Sequence, residues 1–237
     1  MSAPALSAFN SRSTAHELID EHGLDPAELA ETLGELAFIN KTLGGHDATL
    51  DGLAQLMAPD CAEFDVLDVG SGGGDTARCI VERASRRGLS ARVQGIDLSP
   101  EAVACARRTN AGLSVLEFTV ADLFDLPTTR KYDVVHAALF LHHFSDEAAV
   151  RALAKMFELS RWGIVINDLH RHPAAYFVIN GLTSALSKNR LIRHDAPLSV
   201  LRAFRRGELE DLARRAGLPD ADISWRWAFR WLMVVRK

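Results

Sequence analysis

Residues 66–75, Val-Leu-Asp-Val-Gly-Ser-Gly-Gly-Gly-Asp, set Gly70, Ser71, Gly72, Gly73 and Gly74 between two acids, Asp68 and Asp75. Glycines at this density let a backbone take positive φ and come close to a ligand. An apolar run precedes them and an amphipathic segment follows, so the turn reads as a nucleotide cradle rather than a flexible link. Two kinds of nucleotide compete for it. A dinucleotide fingerprint, G-x-G-x-x-G, seats a pyrophosphate on the following helix N-terminus. Here the third fingerprint position is Asp75, whose carboxylate repels phosphate where the helix would attract it. Asp68 adds a second negative charge, and no GK[ST] follows to make a P-loop. A ligand with a positive end and no phosphate fits better.

Further acids and histidines recur at intervals. Asp97 lies in Gly95-Ile96-Asp97-Leu98-Ser99, and Asp122 in Val120-Ala121-Asp122-Leu123. Singly, such acids are ordinary solvated groups; placed together after successive apolar runs, they point to one site. In Leu141-His142-His143-Phe144-Ser145-Asp146, an imidazole with a pKa near neutrality can accept a proton. The competing reading is structural, with both histidines bonding the loop while Asp146 caps the next helix. Of the pair, His142 is expected to face a pocket. In Asn167-Asp168-Leu169-His170-Arg171-His172, the alternation of an extended strand puts Asp168 and His170 on one side as an acid–base pair. His170 and His172 lack a carboxylate or cysteine partner set, so no metal is expected. Arg171 and His172 read as solvated or cover residues.

The elements that must hold these groups alternate. Apolar runs at 64–69, 92–96, 116–120, 132–138 and 163–167 read as strands, with helices over 75–86, 100–110 and 146–159 between them. Continuous apolar strands in βα alternation predict a parallel sheet covered on both faces, with ligands at the strands' carboxyl ends. Residues 14–57 read as helices, with Asp25-Pro26 as a helix start and Gly44-Gly45 as a break. A helix over 174–186 follows the fifth strand, and His194-Asp195 reads either as a pair for chemistry or as a turn before Pro197. A helix over 208–216 ends at Gly217-Leu218-Pro219, and residues 223–235 read as a hairpin turning near 228–230. Trp225, Trp227, Phe229 and Trp231 alternate along it, as expected of a hairpin packing one face on helices.

The pattern Asp68-x-Gly70-x-Gly72-x-Gly74 resembles motif I of class I S-adenosylmethionine-dependent methyltransferases. The resemblance covers roughly residues 60–237. It implies an α/β fold, Rossmann-like and doubly wound, with a seven-stranded, mostly parallel sheet and an antiparallel C-terminal hairpin strand. It also implies S-adenosyl-L-methionine as cofactor. Asp97 resembles the acid that accepts both ribose hydroxyls, two donors matching two carboxylate oxygens. Ala121, Asp122 and Leu123 resemble the adenine site, where Leu98 and Leu123 would sandwich the ring. The Leu141-His142-His143 run resembles small-molecule methyltransferases of quinone biosynthesis, and the stretch from Phe38 to His46 resembles a prelude of bacterial methyltransferases beside polyketide synthases. That second likeness implies that Gly44–His46 approach the cofactor.

The expected organisation is therefore a helical prelude over 1–60 and a methyltransferase domain over 61–237, with a lid insertion about 171–204. The lid's apolar content suits a hydrophobic acceptor, although core packing explains it equally. A 237-residue chain with 48% hydrophobic residues fills a core without disulfides, and Cys61, Cys79 and Cys105 read as reduced thiols. A net charge of -4 argues against general nucleic-acid binding, and no secretory or membrane-spanning segment is evident, so the cytoplasm is the expected compartment. The expected reaction is O-methylation of a small, fairly apolar phenol, quinol or polyketide. C- or N-methylation, a cofactor-binding protein without transferase activity, and a nicotinamide dehydrogenase are the alternatives. The acceptor's identity and the oligomeric state stay open.

Overall fold

The computed structural model describes residues 4–21, 23–218 and 220–237; Pro219, expected just past the last helix, lies outside them. Two short 3-10 turns, Leu6–Phe9 and Leu18–Asp20, precede α1 (Pro26–Thr42) and α2 (Gly45–Leu56). The alternating body follows as β1 (Glu63–Val69), α3 (Asp75–Arg86), β2 (Ser90–Asp97), α4 (Pro100–Thr109), β3 (Leu116–Val120) and β4 (Tyr132–Ala138). It continues with α5 (Asp146–Leu159), β5 (Ser160–Leu169), α6 (Pro173–Leu186), α7 (Arg190–Arg202), α8 (Arg206–Arg215), β6 (Asp222–Arg226) and β7 (Arg230–Arg236).

The seven strands form one sheet in the order β3-β2-β1-β4-β5-β7-β6. Only β7 is reversed, antiparallel to both β5 and β6. Successive side chains of a strand face opposite sides. Val66 thus joins a core with Val93, Val134 and Val165, whereas Leu67 joins one with Ile164, Leu153 and Met156. Both residues are fully buried, as the apolar strand texture requires. The helix starts follow local chemistry: Asp25 Oδ1 accepts from Ala27 N at 3.0 Å with Pro26 in the first turn, and Ser99 Oγ accepts from Ala102 N at 3.1 Å. Helix α2 packs on the sheet face over β4, β5 and β7, and α1 packs on α2, α4 and α7.

Three local expectations are corrected. His194-Asp195 is not a turn, because Asn189 Oδ1 caps α7 by accepting from Leu191 N and Ile192 N, and the helix runs through Pro197. Asp195 is buried and takes the N–H groups of Leu18 and Ile19 at 2.8 and 2.9 Å, fastening the N-terminal segment to α7. Arg171 is not solvated. Its buried guanidinium donates to the carbonyls of Phe9 and Ala203 and to both carboxylate oxygens of Glu208. The C-terminal hairpin is the third case: Trp231 is buried, but Trp225 and Trp227 are exposed. No helix among the described residues is long and apolar enough to cross a membrane.

Candidate active site

The carboxyl ends of β1–β5 open into a cavity of about 550 Å³, roofed by α1, α6, α7 and the turn between β6 and β7. Its floor begins where β1 ends. Gly70 takes φ +67°, and a Cβ there would lie 2.5 Å from Phe140 Cδ2, so only glycine lets the chain turn under this ring. Gly72 N then donates to Asp97 Oδ2 at 2.9 Å, and Ser99 N donates to Asp97 Oδ1 at 2.9 Å. Burial raises the Asp97 carboxyl, and the two N–H groups oppose that rise. Each oxygen keeps a lone pair for an incoming hydroxyl. Next to it, Asp122 Oδ1 accepts from Phe124 N at 2.9 Å. Ser71, Leu98, Ala121, Asp122 and Leu123 all line the cavity, with Leu98 exposed and Leu123 buried. Gly74 does not line it. Its absent side chain makes room for Phe118 and Asn110, so its role is packing rather than ligand contact.

Asp68 sits below the turn at the end of a buried relay. Asn167 Nδ2 donates to Thr49 Oγ1 at 3.1 Å, Thr49 lies 3.0 Å from His136 Nε2, and His136 Nδ1 lies 2.7 Å from Asp68 Oδ1. The Asp68 carboxylate can only accept, which assigns the ring proton of His136 to Nδ1 and leaves Nε2 to accept from the Thr49 hydroxyl. All donors therefore point at Asp68, whose second oxygen, Oδ2, is buried without a partner. Asp75 plays a different part from that expected. Burial raises its carboxyl, but His46 Nε2 at 2.7 Å and Asn40 outweigh burial and hold it low. His46 loses some basicity to burial, yet Asp75 and Cys79 raise it to about 9. The charge of Asp75 is thus compensated, and Asp68 is the acid left open to a ligand. Gly44–His46 buttress this region without lining the cavity, which Asn40 and Leu43 do.

On the far side lies the histidine loop. His142 is 2% exposed, with Nδ1 held 2.7 Å from Asp168 Oδ1. Burial favours the neutral acid of Asp168, but the facing imidazole and the Leu169 N–H overcome it and keep the carboxyl low. The expected Asp168–His170 pair does not form. His170 turns toward His172, Phe229 and Trp231, lies outside the cavity lining, and is pushed down to about 4 chiefly by burial. His172 instead caps α6, accepting from Ala174 N at 3.1 Å.

His143 also lines the cavity, its Nδ1 3.0 Å from Asp20 Oδ2. Between the two histidines stands Glu17, with Oε1 3.7 Å from His142 Nε2 and Oε2 4.0 Å from His143 Nε2. Burial raises its carboxyl to about 7, although His143, Ser199 and Arg202 pull the other way. Each of the three offers one ligand atom within 4.8 Å of the others, a spacing a metal ion could use. Arg202 Nε already lies 3.5 Å from Glu17 Oε1, however, and a second cation beside it would be repelled. Glu17 and Asp20 give no sign of this in the sequence, where they fall within the helical stretch 14–57 with no motif around them. Around the loop, Leu139, Phe140, Phe144, Leu169, Ile179 and Trp227 make this half of the cavity apolar.

Comparison with known proteins agrees with this architecture. A methyltransferase-domain family model matches residues 66–163. The ubiquinone biosynthesis O-methyltransferase of Paraburkholderia phytofirmans is 31% identical over 163 residues, covering 67% of this chain and 66% of that protein, just under two thirds of its length. The protein of the same name from Saccharophagus degradans is 31% identical over 208 residues, 84% of each chain. Human N-acetylserotonin methyltransferase, solved in complex with S-adenosylmethionine, superposes with a TM-score of 0.63 at 16% identity, over 90% of this chain and 56% of that one. At that identity the likeness is one of fold. The chain belongs to the class I S-adenosylmethionine-dependent methyltransferases.

Proposed function

We propose that the protein transfers a methyl group from S-adenosylmethionine to a hydroxyl oxygen of a small, largely apolar acceptor such as a phenol, quinol or polyketide. The observation that carries this reading is His142: its Nδ1 is fixed on buried Asp168, its Nε2 lies 3.7 Å from Glu17 Oε1, and the residue lines the same cavity as the glycine turn. When bound, S-adenosylmethionine supplies a methyl group already activated on a positively charged sulfur. Asp97 would take the ribose hydroxyls, Asp122 and Leu123 the adenine, and Ser71 Oγ, buried without a partner, a further polar group at the turn.

The remaining work falls to the acceptor side. A hydroxyl between Phe140, Phe144 and Ile179 would give its proton to His142 Nε2, while Asp168 stabilises the resulting imidazolium. Helices α6 and α7 would act as the lid that excludes water. The relatives' name, ubiquinone biosynthesis O-methyltransferase, supports a hydroxylated acceptor of this chemistry.

The test is incubation of the purified protein with labelled S-adenosylmethionine and a panel of phenols, quinols and polyketides, locating the new methyl by mass spectrometry. Methyl on oxygen is expected. Transfer only to carbon, nitrogen, tRNA or protein would overturn the reading.

A further inference from the structure

His136 is a fully buried imidazole in the otherwise apolar strand β4. In the β1–β4 register it stands directly opposite Asp68, just beyond the Val66–Val134 pair. Those valines share a core with Val165, and Asn167 lies just beyond Val165 on β5. Alternation along the three strands therefore puts Asp68, His136 and Asn167 on one face, as a polar extension of a valine layer. Thr49 joins them from α2. Gly52, one turn further along that helix, makes the approach possible: a Cβ there would lie 2.5 Å from Val165 Cγ1 and 2.9 Å from Leu232 Cδ1. At the far end, Asn167 Nδ2 also donates to Gly45 O at 2.8 Å and so holds the start of α2.

Burying an imidazole, an amide and a hydroxyl where valines would pack costs free energy that their mutual hydrogen bonds only partly return. What the chain delivers is a single N–H on Asp68 Oδ1, with Oδ2 left without a donor. A carboxylate held by one oxygen cannot turn about its Cβ–Cγ bond, so its other oxygen keeps one direction. Asp68 lines the cavity, whereas His136, Thr49 and Asn167 do not.

We propose that His136 is a positioning residue for S-adenosylmethionine, touching no ligand itself and acting through Asp68, whose carboxylate it fixes for the cofactor. Thr49 and Asn167 keep the ring turned that way. The proposal rests on the cofactor of the family and is independent of which acceptor atom receives the methyl group.

Titration calorimetry of the full chain with S-adenosylhomocysteine tests it without turnover. His136→Leu should weaken binding about tenfold to a hundredfold, the range of a hydrogen bond to a charged group. Two amides separate positioning from packing. In His136→Asn the side-chain NH2 falls near the place of Nδ1 and still donates to Asp68, so affinity should stay within about threefold of wild type. In His136→Gln the amide falls near the place of Nε2, which keeps Thr49 but strips Asp68 of its donor, and the loss should match that of His136→Leu. Asp68→Asn should bind more weakly as well, and adding His136→Leu to it should cost less than about twofold more. Should His136→Leu fail to fold, the Asn and Gln variants decide. Equal affinities of those two variants, undiminished affinity in Asp68→Asn, or a full further loss from His136→Leu in the Asp68→Asn background overturns the role of His136 and leaves the cofactor standing. Absence of binding to the wild-type protein would overturn the cofactor itself.

Discussion

His142 is useful because one of its nitrogens is already committed. With Nδ1–H on Asp168, the lone pair must sit on Nε2, on the side of Glu17. Asp168→Asn would offer that ring a donor in place of an acceptor and favour the wrong tautomer. We expect kcat to fall at least about a hundredfold, with affinity for S-adenosylhomocysteine unchanged by calorimetry. Glu17 gives a pH prediction. Its carboxyl titrates at about 7 when folded and near 4.5 when exposed, so between those values the folded state holds the extra proton. Stability therefore falls as pH rises through that window, by up to about 3 kcal/mol. Glu17→Gln should flatten this part of the stability–pH curve in denaturant titrations. Because Arg202 already faces Glu17, dialysis against a chelator should leave activity unchanged, and a loss restored by divalent ions would show that the three residues bind a metal.

At the scale of elements, the loop from His142 to Phe144 is clamped from its carbonyl side. Arg202 on α7 donates to the carbonyls of His142, His143 and Ala15, and Arg12 donates to those of His142 and Phe144. Arg202→Met would strand these buried acceptors and expose Glu17 to its own desolvation. A loss of about 3 kcal/mol in denaturant unfolding is expected, with a drop in kcat larger than any change in cofactor affinity. Little of this clamp is legible in the sequence. The βα alternation, the glycine turn and the Asp25-Pro26 helix start are local patterns, read within a few positions of themselves, whereas the cap of α5 is Ser145 and not the expected Asp146, which is already the helix's first residue. Helix α7 is not such a pattern, because Pro197 mimics a breaker while the cap at Asn189 and the burial of Leu191, Ile192 and Val200 win. Asp168 was legible as an acid at a strand end, but its partner depends on where the loop after β4 returns.

For the whole molecule, the N-terminal segment and the C-terminal hairpin complete a site that the central sheet only begins. Glu17, Asn40 and Arg230 come from either end of the chain and line the one cavity at the carboxyl ends of the strands. Their sequence neighbourhoods read as ordinary helix faces and a terminal strand, since contacts spanning most of the chain leave no local spacing to detect. The charge argument also shifts between the two levels. Asp75, the acid that most disfavours phosphate in the sequence, is balanced by His46, and the discrimination passes to Asp68 at the end of its relay. The same cavity should therefore reject a diphosphate and accept a zwitterionic nucleoside. Calorimetry of the wild-type protein against S-adenosylhomocysteine and NAD measures this directly. We predict saturable binding of the first and none of the second at the same concentrations; tight binding of NAD with none of S-adenosylhomocysteine would contradict the account.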